Sequence, residues 1–228
     1  MGAALAWGAL AASSLVIGAA FGLLRSWPQR LIGLVLGFGA GALISAVSFE
    51  LVQEGVQKAR GWPVAIGLAV GALTYYLAAG RVAAMGGGGA LALGAFLDGI
   101  PEQMVLGIGL AGGESVSAGL LAAIFVSNLP EAVGGATDMR REMHSERKVM
   151  LTWLGIAGFC ALATVFGHGI ADIATDELQA GINGFAAGAL IVMLVDSMIP
   201  EATEMSGRTT GLVTTLGFAV AAGLSFNT

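Results

Sequence analysis

"FLDGIPEQMVLG", residues 96–107, places Asp98, Pro101 and Glu102 inside an otherwise apolar run. Each of the three damages an apolar helix, because an intramembrane carboxylate is costly and an interior proline removes a helical hydrogen bond. Something must compensate for all of them. The rest of the chain says what kind of helix this is. Of 228 residues 56% are hydrophobic, only 11% are charged and 37 are glycine, far from the quarter-charged composition of a soluble domain. Apolar runs near the ~20 residues that cross a bilayer recur from one end to the other. The expectation is an all-α integral membrane protein, with residues 1–228 forming a single transmembrane domain.

Polar and Gly/Pro clusters divide the chain into eight candidate spans, roughly 3–24, 31–54, 63–80, 89–110, 116–138, 149–170, 178–203 and 210–226. Lys and Arg concentrate in cytoplasmic loops of membrane proteins, so their distribution predicts orientation. The odd-numbered connections hold Arg25, Arg30, Arg81, Arg140, Arg141, Arg147, Lys148 and Arg208, eight of the ten basic residues, against Lys58 and Arg60 in connection two. An eight-helix bundle with both termini outside follows, in the inner (plasma) membrane. Glu114, Asp172, Asp176 and Glu177 make the outer face acidic, which would concentrate cations.

Met1–Trp7 lacks the basic segment that precedes the apolar core of a signal peptide, so the first span is expected to stay. Cys160 is the single cysteine, which excludes an internal disulfide and a cysteine metal cluster. The net charge of −5 suggests no nucleic-acid partner, leaving membrane lipid as the surrounding medium. Glycines four apart, at 18/22, 33/37/41, 67/71 and 184/188, give faces on which helices can approach closely in lipid.

The opening motif is echoed twice. Asp98-Gly-Ile-Pro101-Glu102 in span four is matched by Ser127-Asn-Leu-Pro130-Glu131 in span five and by Ser197-Met-Ile-Pro200-Glu201, preceded by Asp196, in span seven. These use three of the five prolines. An interior proline deprives the carbonyl four residues back, here Leu97, Val126 and Asp196, of its usual partner, and at membrane depth that carbonyl needs another. Asp98 and Glu102 share one helix face, as do Ser127 and Glu131, with Asn128 beside Glu131. Carboxylates near the bilayer centre cost ~2.5–3.5 kcal/mol each, so Asp98, Glu102, Glu131, Asp196 and Glu201 together ask for ~10 kcal/mol or more. With few basic residues inside the spans, a bound cation or carboxyl protonation must meet that cost. Spans four and five run antiparallel, so Glu102 and Glu131 can bracket one site near the midplane, where many transporters bind substrate.

Other polar residues read more plainly. Glu50 and Glu54 stand at the outer end of span two as entrance carboxylates or a transient metal site. Glu201 and Glu204 approach Arg208 at the cytoplasmic end. His168 reads as interfacial, and His144 lies in the basic connection.

Eight spans, outside termini and Pro-Glu motifs in spans four and five together resemble the ZIP (Zrt/Irt-like) family of divalent-metal transporters, as a divergent prokaryotic-type member, over essentially the whole chain. The family's fourth span reads His-Asn-x-Pro-Glu. Pro101 and Glu102 match, while Asp98 stands for the His and Gly99 for the Asn. In span five Ser127 and Asn128 occupy the first two motif places, and Pro130 and Glu131 match. The seventh-span ligand maps to Asp196 or Ser197, with Asp196 the acidic candidate, and the Pro-Glu there also matches. "RVAAMGGGG" lacks the His-rich segment that family members often carry.

The resemblance implies a transporter importing a divalent cation (Zn, Mn, Fe or Cd) as its substrate, with no prosthetic group, a homodimeric assembly and an elevator-like shift between helix groups. Asp98, Glu102, Asn128 and Glu131 would hold the ion, Asp196 would complete the shell, and Ser127 and Glu201 stand beside them. Oxygen donors without imidazole shift preference towards harder ions such as Mn, Mg or Ca, although carboxylates also bind Zn. With Gly99, Ser127 and Asn128 in ligand positions, a second metal site would be weakened. Two rivals differ in class. An intramembrane hydrolase would need a nucleophile and base at depth, yet both histidines lie near span ends and no Gly-x-Ser-Gly unit is present. A metal sensor or scaffold would bind the ion without flux.

Overall fold

A computed structural model of the chain describes residues 1–84, 87–111, 118–142, 145–171 and 173–226, with the side chains of 83 and 87–91 excepted. Glu114, His144 and Asp172 lie outside the described residues. Among those described, all regular structure is helical and no strand occurs. α1 (Gly2–Leu24) is followed by α2 (Gln29–Ala46), which continues through a π-helical stretch, Val47–Gln53, into α3 (Glu54–Lys58). Then come α4 (Gly61–Ala83), α5 (Gly87–Ala111), α6 (Ala118–Arg141) and α7 (Glu146–Ala171). α8 (Asp176–Met193) passes through a second π-helical stretch, Leu194–Met198, into α9 (Ile199–Ser206), and α10 (Thr209–Ser225) ends the bundle.

Six of these rods are long and apolar enough to cross a membrane: Gly2–Leu24, Gln29–Lys58, Gly61–Val82, Ala118–Arg141, Glu146–Ala171 and Asp176–Ser206. The remaining two spans read from the sequence correspond to α5 and to α10, a shorter apolar helix. Bulky apolar side chains point outwards, among them Ile66, Val70 and Leu73 on α4 and Phe159, Leu162 and Phe166 on α7. The interior combines alanine, glycine and the polar residues with large side chains such as Trp153, Leu15, Leu43 and Ile124. An apolar exterior with polar groups turned inwards suits lipid.

Local chemistry sets several helix ends. Thr175 caps α8 by accepting from the Leu178 amide at 3.3 Å, and Asp176 and Glu177 complement the helix dipole in the first turn. Gly207, at φ 64°, turns the chain from α9 into α10 in a conformation that favours glycine. α5 and α6 continue as helix through Pro101 and Pro130, and Pro200 falls just after the π-helical stretch Leu194–Met198 passes into α9.

The most extensive helix packing is of α4 on α8, α5 on α7, α1 on α6 and on α7, and α2 on α10, and α2 also packs on α6. Close backbone approach explains why the glycine faces exist. A Cβ on Gly67 or Gly71 of α4 would strike the backbone oxygens of Gly181 or Phe185 on α8, and one on Gly184 or Gly188 would strike Val64 or Leu68 in return.

These contacts expose an internal repeat. Residues 37–44, "GFGAGALI", and 184–191, "GFAAGALI", differ at one position, and each leads into a π-helical stretch beginning three residues later. Matching residues also make matching contacts. Gly41 of the first copy packs against Thr214 on α10, and Gly188 of the second packs against Leu68 on α4. The carbonyl of Phe38 receives Gly217 of α10, as the carbonyl of Phe185 receives Gly71 of α4. Likewise Gly22 of α1 meets the Val133 oxygen and Gly167 of α7 meets the Met104 oxygen, each carbonyl two residues past the glutamate of a Pro-Glu unit. The pairs α2/α10 and α8/α4 are therefore equivalent, as are α1/α6 and α7/α5, with the two Pro-Glu helices at the join of the halves.

Candidate functional site

α5 and α6 bring the two Pro-Glu units together in antiparallel register. Asp98 of α5 comes within interaction range of Glu131 of α6, and Glu102 within range of Ser127 and Asn128. The arrangement is enclosed: Asp98 is 6% exposed, Ser127 2%, Glu102 and Asn128 each 1%. Glu131 is partly buried. Close approach of α2 seals one side, since a Cβ on Gly39 would come within 2.9 Å of the Ser127 Cα.

Two polar atoms in this enclosure have no hydrogen-bond partner, Glu102 Oε2 and Asn128 Nδ2. Ser127 Oγ lies 3.1 Å from the Ile124 carbonyl, a back-bond along its own helix, and is also within hydrogen-bond range of Glu102. Glu102 thus presents a buried carboxylate oxygen near Asp98, Ser127 and Asn128, with no basic group among these neighbours. Desolvation makes such an oxygen expensive to leave alone, and a cation or a proton is the chemistry that would satisfy it.

A cavity of about 620 Å³ reaches this site from one end. Asp98 and Glu131 lie on its inner wall with Tyr75, Ser197 and Glu201, and Trp27, Asp138 and Arg141 lie towards the end of the bundle where α1 and α6 finish. Glu102, Ser127 and Asn128 are not part of its lining and sit deeper, past the Asp98 and Glu131 level.

Of the seven residues singled out in the sequence, five (Asp98, Glu102, Ser127, Asn128 and Glu131) share the α5–α6 interface. Glu201 joins them along the cavity wall, as does Ser197 one turn before it. Asp196 is exposed and does not line the cavity, whereas Ser197, the next residue of the π-helical stretch, does. Among the described residues, no three His, Cys, Asp or Glu side chains close around a common point as metal ligands do. The carboxylates instead approach in pairs and share the site with Ser and Asn oxygens. Glu50 accepts from Ser225 Oγ at 2.6 Å, Glu54 pairs with Lys58, and His168 is partly buried with Nδ1 unpartnered.

Two buried groups were not singled out in the sequence. Tyr75 of α4, 7% exposed, donates its phenol proton to Asp98 Oδ1. Its signal was an intramembrane phenol in "LTYYLAAG", but nothing in one sequence distinguishes it from the exposed Tyr76. Gln103 of α5 is fully buried and accepts from Thr164 Oγ1 at 2.6 Å, which ties α5 to α7 one residue past Glu102.

The fold and site define an α-helical multi-pass membrane protein with a carboxylate cluster enclosed in its interior. No protein-family model matches the chain. It is similar to an Arabidopsis thaliana protein described as "Putative zinc transporter", with 29% identity over 185 residues, covering 75% of this chain and 30% of that one. The chain therefore spans about a third of the length of the relative it matches.

Proposed function

We propose that the protein is a divalent-cation transporter of the ZIP type that imports its ion towards the cytoplasm, with eight membrane crossings and both termini outside. Asp98, Glu102, Ser127, Asn128 and Glu131 hold the ion between α5 and α6, and the cavity past Ser197 and Glu201 is its route to the basic, cytoplasmic face. The observation that carries this reading is the pairing of two Pro-Glu units around a buried, unpartnered glutamate oxygen. Support also comes from the equivalent halves meeting at that pair, since transporters place substrate sites at the interface of internal repeats. The relative named for zinc supports a transition-metal substrate (Zn, Mn, Fe or Cd), and the all-oxygen donor set favours Mn within it. The inner (plasma) membrane and a homodimer complete the proposal.

The test is uptake by purified protein in proteoliposomes across Zn, Mn, Fe, Cd, Mg and Ca. Saturable uptake of at least one transition metal is expected, with loss in Glu131→Gln. Normal flux in that variant would sink the site, and binding without flux in the wild type would favour a sensor.

A further inference from the structure

Resting on that reading of the site, we propose that Tyr75 is a positioning residue that sets ion selectivity: its phenol occupies one oxygen of Asp98 and leaves the other for the cation. The bond from Tyr75 to Asp98 Oδ1 is enclosed, with its two residues 7% and 6% exposed. Asp98 lies within hydrogen-bond range of Glu131 as well, so a cation bound by Asp98 would take the place of that contact while the Tyr75 donor stays fixed. An ionised carboxylate only accepts, and a hydrogen bond to it is charge-assisted, so the phenol is a strong claimant on Oδ1. Backbone packing sets the height of Tyr75, because Gly71 one turn earlier seats α4 against Phe185 of α8.

The internal repeat shows that the fold does not require this pair. Tyr75 follows Gly71 by four residues, and its equivalent, four residues after Gly217, is Ala221. The equivalent of Asp98 in the other Pro-Glu unit is Ser127. Donor and acceptor are thus both missing from the second half, where Ala221 is 3% exposed and the helices still pack. The pair belongs to the site.

The chemical consequence concerns denticity. With Oδ1 held, Asp98 offers a cation one oxygen, which suits small ions with few ligands. Released, it can chelate through both oxygens, as Ca²⁺ with its roughly 6–8 ligands accepts readily. Loss of a hydrogen bond to a ligating carboxylate also weakens metal binding, typically by about tenfold or more.

The experiment measures Mn²⁺ binding and its displacement by Ca²⁺, by equilibrium dialysis on the detergent-purified full chain and by uptake in proteoliposomes. Tyr75→Phe should weaken Mn²⁺ binding about tenfold and let Ca²⁺ compete at about tenfold lower concentration, while Tyr76→Phe on the exposed face leaves both unchanged. A merely structural tyrosine would lower the yield of folded protein without altering the ratio between ions. An unchanged ratio in Tyr75→Phe overturns the inference, as does the same shift in Tyr76→Phe. Should the Phe variant not fold, Tyr75→Met, which also lacks the donor, is scored in the same way. Dialysis keeps the two proposals separable, because a wild type that binds Mn²⁺ but carries none would sink transport while the Tyr75 comparison still reads out.

Discussion

The Pro-Glu units of α5 and α6 follow one sequence pattern and occupy equivalent places in the two halves, yet their glutamates end in different surroundings. Glu131 lies on the wall of a cavity and within range of another acid, Asp98. Glu102 is shut in at 1% exposure, with the neutral Ser127 and Asn128 beside it and Asp98 also within electrostatic range. The difference comes from antiparallel register combined with two polar differences between the copies, Asp98 against Ser127 and Gly99 against Asn128. One end of the site is therefore carboxylate-rich and accessible, and the other is rich in neutral oxygen and sealed. A symmetric scaffold has been given a direction by its side chains.

The strongest way to break this comparison is to neutralise each glutamate separately. Glu102→Gln and Glu131→Gln should each reduce cation uptake by about a hundredfold or more, since either removes a full charge from a low-dielectric site. Their effects on stability should diverge. At a pH high enough to ionise Glu102 in the absence of metal, removing that charge relieves a burial cost, so Glu102→Gln should there raise the thermal midpoint by several degrees. Glu131→Gln, at the cavity wall, should move it less. Equal midpoint shifts would show that the two environments are not distinct.

The equivalence of the halves is tested next. Gly41→Val and Gly188→Val place a side chain against backbone at matching points, so each should destabilise by about 1–3 kcal/mol and by similar amounts. Thermal unfolding in detergent reads this out, and a large effect in one copy alone would contradict the repeat. Smaller changes sharpen the neutral end: Asn128→Ala should weaken cation binding about tenfold, with Glu102 left short of one oxygen neighbour. Cation binding requires deprotonated ligands, so uptake should fall as pH is lowered and recover on returning to neutral. The least effect is expected for Asp196→Asn. Asp196 is exposed outside the cavity, so uptake should remain within about twofold of wild type.

Much of this was legible in the sequence, and the reasons are specific. Charges inside apolar runs are rare, so Asp98, Glu102 and Glu131 stood out as a candidate site, and the antiparallel run of spans four and five predicted that their Pro-Glu units could face each other. Glycine periodicity foretold close packing, though not which helix each face would meet. The seventh span was harder to read, because a π-helical stretch at Leu194–Met198 and a one-residue difference in facing decide whether Asp196 or Ser197 meets the cavity. Tyr75 was illegible for another reason. Its partner lies 23 residues away on another helix, and a tyrosine in an apolar span carries no mark of which neighbour it will find.

The central claim is that the joined Pro-Glu units hold the transported cation. Its most direct test is equilibrium dialysis of Mn²⁺ or Zn²⁺ against the purified full chain, comparing wild type with Glu102→Gln and Glu131→Gln after size-exclusion chromatography has shown all three to be folded. Saturable binding in the wild type and its loss in both variants is the result expected here. Wild-type binding retained in both variants would place the cation elsewhere and contradict the account.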